Sequence, residues 1–556
     1  MTKTVLILGG YGVFGGRLAK RLARDQGLNV IIAGRSLAKA NTFAQGSRLQ
    51  TTELDIGASD FSDRIAALAP DIIIDAAGPF QDYAATPYQI AQLAIRLGAH
   101  YLDLSDDAAF TSGIACLDAA ARKAGVTVLS GVSSVPAISA VVAHHLIEGI
   151  EDVHSIESVI LPGNRAPRGV SVMRSILSQV GRPLRLWQAN RFVERPAWSD
   201  LRRYDLDIVG TPTVRSRRAS LIGAPDLDLF PEAFKARSVT FRAGLELRVM
   251  QYGLWLLHWL PRWRLVRSVA PLVQPLKWLA DRLESFGRDR GGMQVEITGR
   301  TQSDQCVRRT WTLIVEQGDG PHIPGIPAQI LVGQLLNGEV QAGARACLRE
   351  FTMEDLAAGF EDFHITTGQK QHPIEPMFAT ILEGDFRRLP KPVQDLHQVL
   401  FKRRWEGTAS VKRGTGFLSK CAGWMAGFPP ASDEVSVEVE MTRTANGEVW
   451  QRQFGPKSFR SVLSRDRLRK KSVLAERFGW MTFLIDLRVE GQELQFPVVA
   501  GRLLGIPLPT FLLPRSETRE FADASRNACF DVRISAPFCG LIAHYQGQLS
   551  PAEAMP

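Results

Sequence analysis

The sequence predicts an α/β fold, a doubly wound parallel sheet, and a β-rich C-terminal domain, with further strand and helix patterns between them. Three observations carry that prediction. Over the first 145 residues, short apolar runs alternate with alanine-rich amphipathic stretches at the spacing of strand–helix–strand units. Strand-like alternation returns at 153–161, 238–242, 293–299 and 309–316, with helical stretches at 330–336 and 353–360 behind it. From residue 375, after one helical region, short alternating runs are broken by glycine and proline, as in an antiparallel sheet or partial barrel. At 556 residues the chain is too long for a single core.

The first strand, 5–8, runs into a glycine-rich loop made of Gly10, Tyr11, Gly12, Val13, Phe14 and Gly15, and a helix follows. G-x-G-x-x-G between a strand and a helix is the context that a dinucleotide needs. Gly10 permits a tight turn, Gly12 admits a pyrophosphate, and Gly15 lets the helix pack on the strand with its N-terminus toward the phosphate charge. An ordinary glycine-rich turn is the plainer reading. The second strand, 28–33, ends in Gly34 and Arg35, where NAD-specific proteins carry Asp or Glu. A small residue leaves room and an arginine can pair with a 2′-phosphate, so NADP is expected ahead of NAD. A solvated surface arginine would look the same. Ser36 either adds a phosphate contact or starts a helix.

The third strand, 49–54, leads to Asp55, which can accept from an adenine amine or cap a helix. The fourth, 71–76, leads to Ala77, Gly78 and Pro79, a breaker sequence whose backbone would line the cofactor wall. The fifth, 100–104, contains Asp103 and is followed by Asp106 and Asp107, which suit the start of a helix. The sixth, 126–130, precedes Ser133 and Ser134, which face the same cleft or cap the next helix. Asp103, Ser133 and Ser134 are the candidate catalytic residues, a carboxyl to position substrate or move a proton and two hydroxyls to polarise it. Six such strands take the default order 3-2-1-4-5-6, with ligands at the switch between the first and fourth.

The net charge of +9 suits an anionic partner without choosing among dinucleotide, membrane and nucleic acid. Six cysteines, at 116, 306, 347, 421, 529 and 539, form no C-x-x-C pair and no cluster with histidine, so neither a metal site nor a disulfide framework is expected and a reducing cytoplasm fits. The N-terminal apolar run is too short for a signal peptide. Trp255, Trp259, Trp263 and Trp278 interleave with Arg262, Arg264, Arg267 and Lys277. The longest apolar stretch there is far below the ~20 residues of a spanning helix. The segment 248–280 suits either peripheral contact with an anionic inner membrane face or a helix pair that covers a domain or makes a homodimer. No nucleic-acid-binding module accompanies it.

GGYGVFGG, DAAGPF, GAHYLDLSDD and GVSSVPAIS together resemble the saccharopine dehydrogenase-like NADP-binding oxidoreductases, most strongly over residues 1–145. FGRDRGGMQVEITGR, TWTLIVEQGDGPHIPGIPA and AGARACLREFTMEDL resemble the second half of that family. The resemblance implies that Gly10, Gly12, Gly15 and Arg35 are cofactor residues and that Gly78, Pro79 and Asp103 lie near the nicotinamide. The family often has glycine and glutamate where this chain has Asp106 and Asp107. It also implies a Rossmann domain at 1–145, then at 146–365 an α+β substrate or dimerisation domain on an open sheet, whose helices return to the first. GDGPHIPGIPA would form a shaped loop over the cleft or a plain connector. A domain boundary is expected at HITTGQKQHPIEP, a polar stretch that interrupts the patterns around it. In the third domain, 375–556, WQRQFGPKSFRS, LAERFGW, GIPLPTFLLP and SAPFCGLIAHYQGQL resemble an uncharacterised domain of unknown function found fused behind such proteins.

Two functions follow. The first is an NADP-dependent oxidoreductase whose substrate is a small molecule, possible lipid-like character being suggested by the tryptophan–arginine segment and by a third domain able to enclose an apolar ligand. The second is a non-catalytic NADP-binding scaffold or redox sensor. His397, Arg452, Glu476 and His544 are polar positions in patterned segments of the third domain and receive no catalytic role.

Overall fold

The computed structural model describes residues 2–83, 86–425, 427–468 and 471–553. The chain forms two units. The first comprises Met1–Trp187, Phe192–Ile297 and Arg309–Gln371, and the second Gln188–Arg191, Thr298–Arg308 and His372–Pro556.

In the first unit, β1 (Lys3–Leu8), β2 (Leu28–Gly34), β3 (Gln50–Glu53), β4 (Ile72–Asp75), β5 (His100–Asp103) and β6 (Thr127–Ser130) lie in the order 3-2-1-4-5-6. All are parallel. The alternation along each strand divides two cores: Val5 and Ile7 of β1 pack into one layer, Leu6 and Leu8 into the other. A seventh parallel strand, Gly343–Ala346, pairs with β6 on its outer side. It is tied in by the Gly343 amide to the Val126 carbonyl and by the Ala344 amide to the Asp118 carboxylate, both at 2.9 Å. Nothing in its four residues, GARA, has the apolar content of a strand, and its pairing depends on a neighbour more than two hundred residues away.

A second, mixed sheet of nine strands includes Ile150–Leu161, Val239–Ala243, Gly291–Thr301 and Cys306–Val315, which carry the four expected alternations. At its edge lies Ile365–Pro373. This corrects the reading of HITTGQKQHPIEP as an interruption: an edge strand buries little of either face, so its sequence can be polar throughout. The helices Ile326–Leu336 and Met353–Phe360 follow as expected, the second with a capping box between Thr352 and Asp355. GDGPHIPGIPA forms a 3-10 turn, Gly320–Gly325, that leads into the first of these helices; the His322 ring lies tilted against Phe363 with centroids 4.8 Å apart, and Gly325 abuts Leu18. The tryptophan–arginine segment forms Arg248–Leu257, Trp259–Arg262 and Val273–Arg282. Among the described residues no helix is long and apolar enough to cross a membrane.

The second unit is built on a thirteen-stranded antiparallel sheet. Its strand order is Arg488–Glu490, Glu493–Gln495, Arg515–Ala522, Ala528–Ala536, Gly540–Pro551, Lys402–Arg413, Ser432–Thr444, Gly447–Phe454, Lys457–Leu468, Lys471–Phe478, Met481–Ile485, Val498–Leu503, Ile506–Pro507. Helices Met377–Leu382 and Lys391–His397 place Phe378 and Leu396 in one core with Trp405, Met441, Trp450 and Phe454. That interior is filled by side chains. Met481–Ile485 and Arg488–Glu490 are separate strands, divided by Asp486 and Leu487.

Candidate functional site

The carboxyl ends of β1, β4, β5 and β6 converge at the switch point, and each delivers part of the sequence-predicted set. At β1 the chain turns on Gly9, whose φ of +71° suits glycine and whose Cβ would lie 2.6 Å from the Ala76 carbonyl oxygen. The tight turn thus belongs to Gly9, one residue before the position expected. Gly10 instead lets the loop lie against Ile32, where a Cβ would come within 2.7 Å. Gly15 closes the helix onto the strand, a Cβ there meeting the Gly9 carbonyl oxygen at 2.6 Å. Gly12 differs: within 4 Å its Cβ would meet one atom, the Gly9 carbonyl oxygen at 3.0 Å. The fold requires glycine at 9, 10 and 15 far more than at 12.

The helix that follows, α1 (Gly15–Leu22), starts at Phe14 with no side-chain cap and no acidic residue in its first turn. Its positive end is open to an anion. Val13 lies beside Gly169, at the start of the helix Val170–Gln179.

At the end of β2, Arg35 is exposed and makes no ion pair among the described residues. The space that Gly34 leaves is filled by the Tyr11 ring, whose oxygen would lie 2.5 Å from a Cβ at 34 and accepts from the Ser36 amide at 3.2 Å. Ser36 caps the next helix by accepting from Lys39 N at 3.4 Å. Asp55, beyond β3, is exposed, and its Oδ1 accepts from the Gly57 amide at 3.1 Å.

Asp75 and Asp103 face each other in register at the ends of β4 and β5, both fully buried. Asp75 Oδ1 accepts from the Ala77 amide at 3.0 Å, which orients the Ala77–Gly78–Pro79 backbone, and from the Tyr83 hydroxyl at 3.5 Å. Asp103 Oδ1 accepts from the Gly131 amide at 2.8 Å, Ser130 Oγ at 2.9 Å and the Ser105 amide at 3.0 Å. Burial pushes Asp75 up to about 6 and Asp103 up to about 7; the donors pull both down, while Asp75 adds a further rise at Asp103. Asp103 therefore anchors the loop after β6, which carries Ser133 and Ser134. Ser133 is half-buried and Ser134 buried. Asp107 caps the next helix through the Phe110 amide at 2.8 Å, as expected of a helix-start charge. Asp106 is drawn to Gln81 and Ser175.

Sequence reasoning missed Asp75, Gln81 and Ser175. Asp75 ends an apolar strand and Gln81 sits in a turn, while Ser175 comes from a helix remote in sequence. Asp226, a further buried carboxyl, takes Ser139 Oγ at 3.0 Å and is pushed by burial up to about 7.

The Gly12 cradle and the uncapped helix start fit the pyrophosphate of a nicotinamide dinucleotide. Residues 5–129 match the saccharopine dehydrogenase NADP binding domain family, and residues 389–549 match a domain of unknown function, DUF4166. The chain is similar to the saccharopine dehydrogenase (L-Glu forming) of Saccharomyces cerevisiae, with 17% identity and a TM-score of 0.48 over 66% of this chain and 100% of that one. It is similar to GenD2 from gentamicin A biosynthesis, solved with NAD, with 14% identity and a TM-score of 0.32 over 67% and 96%. A myo-inositol dehydrogenase from Corynebacterium glutamicum shares 13% identity with a TM-score of 0.26 over 44% and 68%. Of the curated proteins, none matches.

Proposed function

We propose that this chain, whose N-terminal domain is a nicotinamide-dinucleotide-binding domain of the saccharopine dehydrogenase type, is an NADP-preferring oxidoreductase acting on a small or lipid-like substrate. The observation that carries the reading is the Gly12 cradle beside an uncapped helix start, with Arg35 unpaired at the end of β2. When bound, NADP(H) would carry the hydride. Gly10, Gly12, Val13 and Phe14 present backbone to the pyrophosphate, Gly15 seats α1 behind it, Arg35 and Ser36 take the 2′-phosphate, and Asp55 takes the adenine amine. Tyr11 bounds the ribose side. Ala77, Gly78 and Pro79, held by Asp75, form the nicotinamide wall. Asp103 is a positioning residue that holds the loop of Ser133 and Ser134, whose hydroxyls orient the substrate.

The test is a calorimetric titration with NADPH and with NADH. Arg35→Ala is expected to weaken NADPH by about 1.5 to 3 kcal/mol, as for a charge-assisted contact, and NADH far less. Equal weakening of both would remove the phosphate assignment.

A second reading, a non-catalytic NADP-binding scaffold or redox sensor, draws on the inward aim of Asp103, which leaves the cleft without an exposed acid–base group from β5. Turnover of NADPH with any small carbonyl, imine or enone would eliminate it. We also place the chain in the cytoplasm, with peripheral contact at the inner membrane face through 248–280, where Trp263 and Trp278 are exposed among arginines. Homodimer formation through the same helices is the competing use of that segment.

A further inference from the structure

A second concentration of exposed apolar side chains lies in the β-rich unit, at one end of its sheet. Trp480 and Leu504 sit on adjacent hairpin turns, 77% and 70% exposed. Met481 pairs with Leu503, and the Leu504 amide donates to the Trp480 carbonyl at 2.9 Å, so the two turns form one tip. Ile506 pairs with Leu503 beside them. The chain continues into the segment around Phe511, which is folded back so that Leu513 covers Gly501. Phe511 and Pro537 line one crevice of about 440 Å³, which brings in the turn that carries Phe538, 83% exposed. Helix Phe417–Met425, not anticipated from the sequence, is held next to that turn by Ser419 Oγ donating to the Leu541 carbonyl at 2.5 Å, and it exposes Trp424 at 83%.

Four segments build this rim: 414–425, 477–482, 499–516 and 535–541. None contains an aspartate or glutamate, and together they carry Lys420, Arg477, Arg502 and Arg515. Arg502 pairs with Asp466, whereas the other three make no ion pair among the described residues. Soluble surfaces mix both signs of charge and bury aromatic side chains, and contiguous exposed apolar patches mark a contact. A protein-binding face would present its aromatics in a flat, packed centre within a rim of both charge signs. Here they project from separate turns and from one helix, and Lys420, Arg477 and Arg515 in the same segments make no ion pair among the described residues. That is the geometry of a surface that inserts apolar side chains at the headgroup boundary while its cations meet anionic phosphates.

We propose that the β-rich unit docks through this rim on an anionic lipid bilayer. The inference is independent of the dinucleotide reading and of the helical segment 248–280. The test uses the full chain in flotation with vesicles of phosphatidylcholine alone and of phosphatidylcholine mixed with phosphatidylglycerol. The wild-type chain is expected to float with the mixed vesicles and to be released as salt rises. The double variants Trp480→Ser/Leu504→Ser and Lys420→Glu/Arg515→Glu are each expected to lower the bound fraction about tenfold or more, with unchanged melting temperatures, because all four side chains are exposed. No flotation of the wild type with mixed vesicles would overturn the proposal. So would rim variants that float like wild type, or loss of binding confined to Trp263→Ser/Trp278→Ser. A change in self-association of the lipid-free chain on Trp480→Ser/Leu504→Ser would overturn it too, since a second copy would then cover the rim.

Discussion

A methyl group at Gly12 and one at Gly15 should have opposite consequences, although both residues belong to one loop. At Gly15 the Cβ would press on backbone at 2.6 Å, so Gly15→Ala is expected to cost about 1 to 3 kcal/mol of stability. At Gly12 the one contact is 3.0 Å, so Gly12→Ala should unfold within about 1 kcal/mol of wild type yet bind NADPH about tenfold more weakly or worse. Denaturant titration and calorimetry on the two variants separate a fold glycine from a ligand glycine. A second expectation concerns acidity. Asp75, Asp103 and Asp226 ionise near 3.8 when exposed, and burial raises them to about 6, 7 and 7. Between about pH 4 and pH 7 the folded chain keeps protons that the unfolded chain has released, so stability falls as pH rises through that window. Asp103→Asn keeps an acceptor for Gly131 and Ser130 and should flatten the decline in melting temperature between pH 5 and pH 8; an unchanged slope would contradict the assignment. The glycine spacing and Arg35 were legible because local backbone needs write them into adjacent letters. The shift of the turn from Gly10 to Gly9, and the filling of the Gly34 space by Tyr11, depend on neighbours at 32 and 76 and on a side-chain rotation, which no short window of sequence contains.

Elements were legible in proportion to what they bury. β1, β2 and β4 to β6 are apolar because both their faces are covered, and their positions follow from that. Ile365–Pro373 is polar because it lies at an edge, and Lys457–Leu468 and Lys471–Phe478 carry serines, arginines and lysines on a face turned to solvent, so their alternation reads as loop. Capping was visible where side chain and position coincide, as at Asp107. The capping box of Met353–Phe360 offers a direct measure: Thr352 Oγ1 accepts from the Asp355 amide at 3.1 Å, and Asp355 accepts from the Thr352 amide at 2.8 Å. Thr352→Ala is expected to lower unfolding free energy by about 1 kcal/mol in urea titration, and Thr352→Ser to restore most of it.

The two units hold separate hydrophobic cores, one around the parallel sheet and the second sheet, the other inside the antiparallel sheet. Scanning calorimetry should therefore resolve two transitions. NADPH at 100 times its dissociation constant should raise the transition of the first unit by about 2.7 kcal/mol of stabilisation and leave the second in place. A single transition that moves as a whole would show that the cores unfold together. The strand Gly343–Ala346 gives this architecture a history in time. A ribosome finishes β6 more than two hundred residues before it makes the strand that covers that edge. At roughly 5 to 20 residues per second, the nascent sheet waits some 10 to 40 s with its last strand bare. A bare edge in a growing chain invites pairing with another copy, so synthesis of this protein has an interval of vulnerability that a chaperone can shield and that a slow codon placed before residue 343 would prolong.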